Sequence, residues 1–270
     1  MIARSTEVIT AGALAELNER ALKMSPQQIV AYAIQQHGDQ LVIASSFSAE
    51  DVVLIDIAER VSRRFRVVTL DTGRLHQETY DVIEAVRARY GVVVEVYFPE
   101  RTAVEQLVTL KGMHSFKNSV ADRKECCRIR KVEPLGRALQ GASAWATGLR
   151  QSQSPTRAAL TAFELDERGL LKVSPLWRFS DEDLAKYVKE HNVPVNALHA
   201  QGFPSIGCAP CTRAVQPGED PRAGRWWWET PEQKECGLHP SHPALAASSA
   251  TSTSTSTSTS ASGSTANHGT

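Results

Sequence analysis

Short apolar runs separated by helical periodicity constrain this chain more than any other feature. Leu41-Val42-Ile43-Ala44 is apolar at every position, as in a strand buried on both faces. Residues 66–70 and 92–98 repeat the pattern, 145–148 form a short fourth run and 171–174 a fifth. Between them the apolar period lengthens to that of a helix, with Val82, Ile83, Val86 and Tyr90 on one face of residues 76–90. Strands alternating with helices through short connections predict an α/β fold. Its sheet is mostly parallel, with helices on both faces.

Local punctuation sets the helix boundaries. Ser25-Pro26 reads as an N-cap followed by proline at the first helical position, opening a helix to about His37-Gly38. Ser48-Ala-Glu-Asp51 and Ser180-Asp-Glu-Asp183 have the spacing of helix caps. The first predicts a helix to Arg64 and the second a last helix to about His191. A further helix is expected over residues 102–111.

In such sheets ligands sit beyond the carboxyl ends of the strands, and three polar loops fall there. Ser45-Ser46-Phe47-Ser48 offers hydroxyls and backbone N–H groups ahead of a helix, an arrangement that suits an anion. A simple capping turn accounts for it equally well. Asp71-Thr72-Gly73-Arg74 has groups that could hydrogen-bond a ribose or a base edge, or could be an ordinary turn. The loop from Gly148 to Arg157 carries Arg150 and Arg157, suited to phosphate or sulfate oxygens or simply to solvent.

The five cysteines of this 270-residue chain narrow the chemistry. Cys126-Cys127 and Cys208-x-x-Cys211 supply four thiols in tight pairs, closer to metal-ligand spacing than to a disulfide framework. Zinc and iron–sulfur clusters both accept four cysteines, but structural zinc sites take pairs separated by two to four residues. The adjacent pair favours one [4Fe–4S] cluster per chain. Around it Arg123, Lys124, Arg128, Arg130 and Lys131 outnumber Asp122 and Glu125. Cys236 is left over, between Lys234 and His239, with Arg222 and Arg225 shortly before it. Cations lower a thiol's pKa and favour the nucleophilic thiolate, although Glu235 opposes this. Trp226, Trp227 and Trp228 are expected to anchor this segment by core packing.

Thirty basic residues balance thirty acidic ones, so no global field favours nucleic acid or an anionic membrane. No apolar run reaches the ~20 residues of a membrane span, the N-terminus lacks a signal-peptide core, and a reducing cytoplasm is the expected compartment. Residues 1–245 are expected to form one domain whose C-terminal catalytic segment spans about 212–240. From about residue 246 the chain is nearly all Ser, Thr, Ala and Gly, too polar to offset the entropy of ordering.

Three segments together resemble the bacterial assimilatory adenylyl-sulfate (APS) reductases, within the family that also reduces the 3′-phosphorylated substrate (PAPS). They are Lys124-Glu-Cys-Cys-Arg-Ile-Arg-Lys131, Cys208-Ala-Pro-Cys-Thr-Arg213 and Lys234-Glu-Cys-Gly-Leu-His239. Residues 45–51 and 70–76 look like that family's nucleotide loops, and the similarity covers about residues 25–240. The resemblance implies an adenine-nucleotide α-hydrolase-like fold, a [4Fe–4S] cluster on Cys126, Cys127, Cys208 and Cys211, and Cys236 as redox-active nucleophile. It implies APS as substrate, reduced to sulfite and AMP through an S-sulfocysteine in the assimilatory route to cysteine. Relatives preferring PAPS generally lack the cluster cysteines. Plant-type relatives carry a fused redoxin; here the 31 residues after His239 contain no cysteine, which implies a separate thioredoxin or glutaredoxin as electron donor.

By the same resemblance Lys131, Arg150, Arg222 and Arg225 face the sulfuryl oxygens. Ser45, Ser46, Phe47, Ser48, Asp71, Thr72, Gly73, Arg74, Gly148 and His239 complete the substrate-binding set. The chain departs from the family at Gln77, where proline is frequent, and at Gln151-Ser152, where a charged pair is frequent. The oligomeric state is left open, a homo-oligomer included. Two rivals remain at this level: an ATP-pyrophosphatase-type ligase or tRNA thiolase on the same fold, and a zinc-stabilised binding module. The first would carry a Ser-Gly-Gly-x-Asp-Ser loop where this chain has Ser46-Phe-Ser-Ala-Glu-Asp51.

Overall fold

The computed structural model describes residues 9–154, 157–230, 234, 237 and 238. Helices α1 (Ala11–Ala21) and α2 (Pro26–His37) lead into β1 (Leu41–Ala44). The Ser25 cap forms as a reciprocal pair: the Gln28 amide donates to Ser25 Oγ at 3.3 Å, and the Ser25 amide to Gln28 Oε1 at 2.8 Å. Next come α3 (Ala49–Val61), β2 (Arg66–Leu70), α4 (Gln77–Tyr90), β3 (Val94–Tyr97) and α5 (Arg101–Lys111). Helix α6 (Val120–Cys127) passes through a π-helical turn, Arg128–Val132, into α7 (Glu133–Ala138). The chain continues through β4 (Ala144–Ala146), β5 (Phe163–Leu165), β6 (Leu171–Val173) and α8 (Asp181–His191).

The six strands form one sheet in the order β3-β2-β1-β4-β6-β5, parallel except for the β5 edge. Side-chain alternation divides the core accordingly. Leu41, Ile43, Val67, Ala144, Ala146 and Val173 pack on one face in the main cluster with residues of α2, α3 and α4. Val42, Val68 and Trp145 point to the other face and meet Leu135, Ala138 and Leu139 in and just beyond α7. Residues 51–58 of α3 are all buried, which explains why its sequence is apolar on most sides.

The sequence-based elements recur with shifted ends. The third strand is shorter than residues 92–98, and the fifth expected strand is β6. Helix α1 and strand β5 were not anticipated; Asn18 of α1 fixes β5 by donating to Phe163 O at 2.9 Å and accepting from its amide at 3.0 Å. Helix α6 was also unforeseen, because its charged, cysteine-bearing sequence has no apolar stripe. Among the described residues no helix is long and apolar enough to cross a membrane.

Candidate active site

Strand order turns back on itself between β1 and β4, so the loops after these two strands diverge around a crevice. A cavity of about 550 Å³ lies there, in the size range of small-molecule sites. Ser45, Ser46 and Ser48 of the first loop line it, together with Thr147, Gly148, Arg150 and Arg157 of the second. Asp51 joins the two loops. Its Oδ2 accepts from Ser46 N at 2.6 Å and Ser46 Oγ at 2.7 Å, and its Oδ1 accepts from Gly148 N at 3.0 Å. Burial pushes the Asp51 carboxyl above its ordinary pKa, against the pull of these hydrogen bonds. Only glycine fits at position 148, since a Cβ there would stand 2.7 Å from Asp51 Oδ1 and 2.8 Å from the Glu50 backbone carbon.

Phe47 does not line this cavity. It turns into the core with φ +57° and is 1% exposed. Ser48 is the N-cap of α3, but its side chain caps no backbone amide; the hydroxyl lies 3.4 Å from Asp51 Oδ2 instead. Arg150 lines the cavity while already paired with two carboxylates, at 2.8 Å from both Glu50 Oε1 and Asp181 Oδ1. It therefore braces the β4 loop against α3 and α8. Arg157 is hydrogen-bonded to Gln153, which in turn donates to Glu50 Oε1 at 2.9 Å.

The loop after β2 faces two ways. Thr72 lines the large cavity, whereas Asp71 is tied to Tyr80, whose hydroxyl is 3.0 Å from both carboxylate oxygens. Burial, with the Asp71 hydrogen bond, pushes the Tyr80 phenol up to about 12. Gly73 takes a positive φ of +69° and donates to Asp71 Oδ1 at 2.8 Å, closing the turn. The Arg74 carbonyl accepts from Ala209 N at 2.8 Å, and Thr72 Oγ1 lies 3.3 Å from Cys208 Sγ. Much of this loop, read from the sequence as nucleotide-facing, supports the Cys208 segment.

Cys126, Cys127, Cys208 and Cys211 are buried and line one small cavity of about 20 Å³. Two distant segments thus bring all four thiols together. Arg74, Arg123, Arg130 and Lys131 share its walls. Arg130 is buried and donates to Thr72 O at 2.7 Å. Burial pushes the Cys211 thiol up to about 12, with neighbouring Cys208 adding to the effect. At Cys208 burial also acts upward, but Lys131, the Thr72 hydroxyl, Arg225 and Arg130 outweigh it and leave the thiol below its ordinary value. Among the described residues no group of three or more His, Cys, Asp or Glu side chains is placed to hold a metal ion. The donor set nevertheless fits a four-thiolate centre: four buried sulfurs on one cavity, surrounded by cations that would balance the thiolate charge.

The two cavities share Lys131 and Trp226 as walls. Trp226 is buried with φ +39°, and the guanidiniums of Arg123 and Arg225 each lie 4.7 Å from its ring centroid. Arg225 packs against Gly207, where a Cβ would meet its Nη2 at 2.3 Å. Arg222 donates to Lys234 O at 2.8 Å, and Leu238 lines the large cavity. Cys236 and His239 lie outside the described residues.

Residues 40–214 match the model of the phosphoadenosine phosphosulfate reductase domain. The chain belongs to the phosphoadenosine phosphosulfate reductase family. It is similar to the adenosine 5′-phosphosulfate reductase of Allochromatium vinosum, 52% identical over 217 residues, covering 77% of this chain and 85% of that protein. The Burkholderia cepacia adenosine 5′-phosphosulfate reductase is 48% identical, over 85% of this chain and 92% of the relative. A crystal structure of phosphoadenylyl-sulfate reductase from Candida auris, in a phosphate complex, aligns with a TM-score of 0.66 at 26% identity. That alignment covers 76% of this chain and 98% of the other. The resemblance drawn from the cysteine segments and the expected adenine-nucleotide α-hydrolase-like fold are both borne out.

For this member of the phosphosulfate reductase family, the large cavity gathers Ser45, Ser46, Ser48, Thr72, Lys131, Gly148, Arg150, Arg222 and Arg225. Phe47, Asp71, Gly73 and Arg74 are not among its lining residues. Sequence reasoning did not single out Asp51, Glu50, Asp181, His199 or Trp226 for this site. Asp51 carried a signal, an acidic residue in the first turn of a helix beyond a serine-rich loop, but the signal pointed to capping. Trp227 departs from the expectation of core packing, being 40% exposed, whereas Trp226 meets it.

Proposed function

We propose that this chain reduces adenylyl sulfate to sulfite and AMP, using a separate thioredoxin or glutaredoxin as reductant in assimilatory sulfate reduction toward cysteine. One observation carries the proposal: a nucleotide-sized cavity shares the Lys131–Trp226 wall with a cavity ringed by four buried thiols. The names of the bacterial relatives agree with it.

The Cys236 thiolate attacks the sulfur of bound APS. The bond from sulfur to the bridging phosphate oxygen breaks, AMP leaves with that electron pair, and an S-sulfocysteine remains. A redoxin thiolate then attacks Cys236 Sγ and expels sulfite. The mixed disulfide is opened by the redoxin's second thiol, which restores Cys236 and leaves the redoxin oxidised by two electrons. Charge on the sulfuryl oxygens persists throughout, so fixed cations suit the transition state. Lys131, Arg222 and Arg225 lie on the cavity wall for that role. Arg150, committed to Glu50 and Asp181, holds the loop after β4, which also lines the cavity.

Cys126, Cys127, Cys208 and Cys211 would hold a [4Fe–4S] cluster. When bound it supplies a fixed charge beside Lys131 and joins the two cysteine segments; both electrons of the reaction come from thiols.

Intact mass measured on anaerobically purified protein after incubation with APS and no thiol reductant tests the proposal. The expected result is a gain of one SO3 group on Cys236 that a redoxin removes. Protein with its full iron content that forms no adduct would overturn it.

A further inference from the structure

The turn between β1 and α3 has the makings of an anion site: serine hydroxyls and backbone amides at the start of a 13-residue helix. It is already filled. Asp51, 6% exposed, takes the Ser46 amide and hydroxyl on Oδ2 and the Gly148 amide on Oδ1, at 2.6, 2.7 and 3.0 Å. The Ser48 hydroxyl is turned to the same Oδ2 at 3.4 Å. These are the donors that a phosphoryl group lodged in the turn would need. Glu50 extends the arrangement, since its Oε1 accepts from Arg150 Nη2 at 2.8 Å and from Gln153 Nε2 at 2.9 Å.

We propose that Asp51 is a specificity residue whose carboxylate stands in this turn as an internal substitute for a phosphate, so that the turn rejects pyrophosphate. A second anion there would have to displace a buried carboxylate from its donors and then lie against it, like charge on like. The β1 and β4 loops are thereby fixed to each other before any ligand arrives. With the adenine-nucleotide reading of the large cavity as its premise, this leaves the sulfated end of the ligand to the cations that line the same cavity, Lys131, Arg222 and Arg225.

The test is equilibrium competition between AMP and inorganic pyrophosphate, with ionic strength matched by a chloride salt, on the wild-type chain and on Asp51→Ser. Wild-type protein is expected to bind AMP and to keep it as pyrophosphate is added. Asp51→Ser, with the carboxylate gone and a hydroxyl added, is expected to bind pyrophosphate at least about tenfold more tightly than wild type, a gain of about 1.4 kcal/mol. Displacement of AMP by pyrophosphate from the wild type would overturn the inference, and that measurement stands even where the variant does not fold. A folded Asp51→Ser that gains nothing overturns it as well. Failure of AMP to bind the wild type would instead remove the nucleotide reading on which it depends.

Discussion

Arg123 and Glu229 form an ion pair almost entirely sealed from water, with side chains 0% and 3% exposed and Nη2 2.8 Å from Oε2. Arg123 Nε also reaches both carboxylate oxygens, at 3.0 and 3.2 Å. The arginine stands three residues before Cys126, and the glutamate seven before Cys236. The pair fastens the chain leading to the C-terminal cysteine onto the helix that carries the first cysteine pair. Trp226, which accepts the same guanidinium on its ring and donates its backbone N–H to Cys211 O at 3.1 Å, completes the fastening.

Removing one member leaves a buried charge without its partner. Glu229→Gln is expected to lose about 3–5 kcal/mol of stability. Replacing both members, Arg123→Met with Glu229→Gln, should cost less than the sum of the single changes. Denaturant unfolding of the four proteins checks this, and an additive outcome would mean the two charges do not depend on one another.

Cys236→Ser is expected to abolish reduction of adenylyl sulfate while leaving iron content and visible absorbance at wild-type levels. The assay is sulfite release with excess redoxin, run beside an optical spectrum of the same sample. Retained turnover would move the nucleophile elsewhere.

Cys211→Ser tests the four-thiolate centre apart from activity. Iron per chain and absorbance in the visible are expected to fall to background when protein is purified anaerobically, because one of four ligands is gone. Wild-type protein that is colourless and carries zinc would instead favour a zinc centre.

Acid should weaken the β2–β3 edge of the sheet. Arg66 meets Glu95 with Nε and Nη2 at 2.7 and 2.6 Å, and these hydrogen bonds hold the Glu95 carboxyl below its ordinary value. A depressed carboxylate stabilises the fold above its unfolded pKa, near 4.5, and that contribution disappears as pH falls through the folded value. Both side chains are about a third exposed, so the effect is expected at about 1 kcal/mol or less. Glu95→Gln should flatten stability against pH below about 4.5 relative to wild type, as followed by urea unfolding. An unchanged slope would assign the acid sensitivity to other carboxylates.

The sequence by itself determined the elements and the chemistry-bearing groups. Apolar runs as short as Leu41–Ala44 could only be buried strands, Ser25 and Ser180 set helix starts through local hydrogen bonds, and the cysteine spacing marked two close pairs of thiols. These signals are legible because each depends on neighbours a few residues away. Tertiary structure alone decided which loops meet. Ser46 and Gly148 come together because β1 pairs with β4 across about a hundred residues of chain, and Asp51 finds its partners only after that pairing. The same holds for Arg150: a loop arginine suited to sulfate in the sequence became a brace, because Glu50 and Asp181 reach it from two helices. Phe47 left the site for the core for a backbone reason, a positive φ that no local pattern announced. Helix α6, with no apolar stripe, forms around Arg123, Cys126 and Cys127 because the Cys208 segment and Trp226 cover them. Long-range pairing and burial, not local propensity, place a cation or a carboxylate on one wall of a cavity or another.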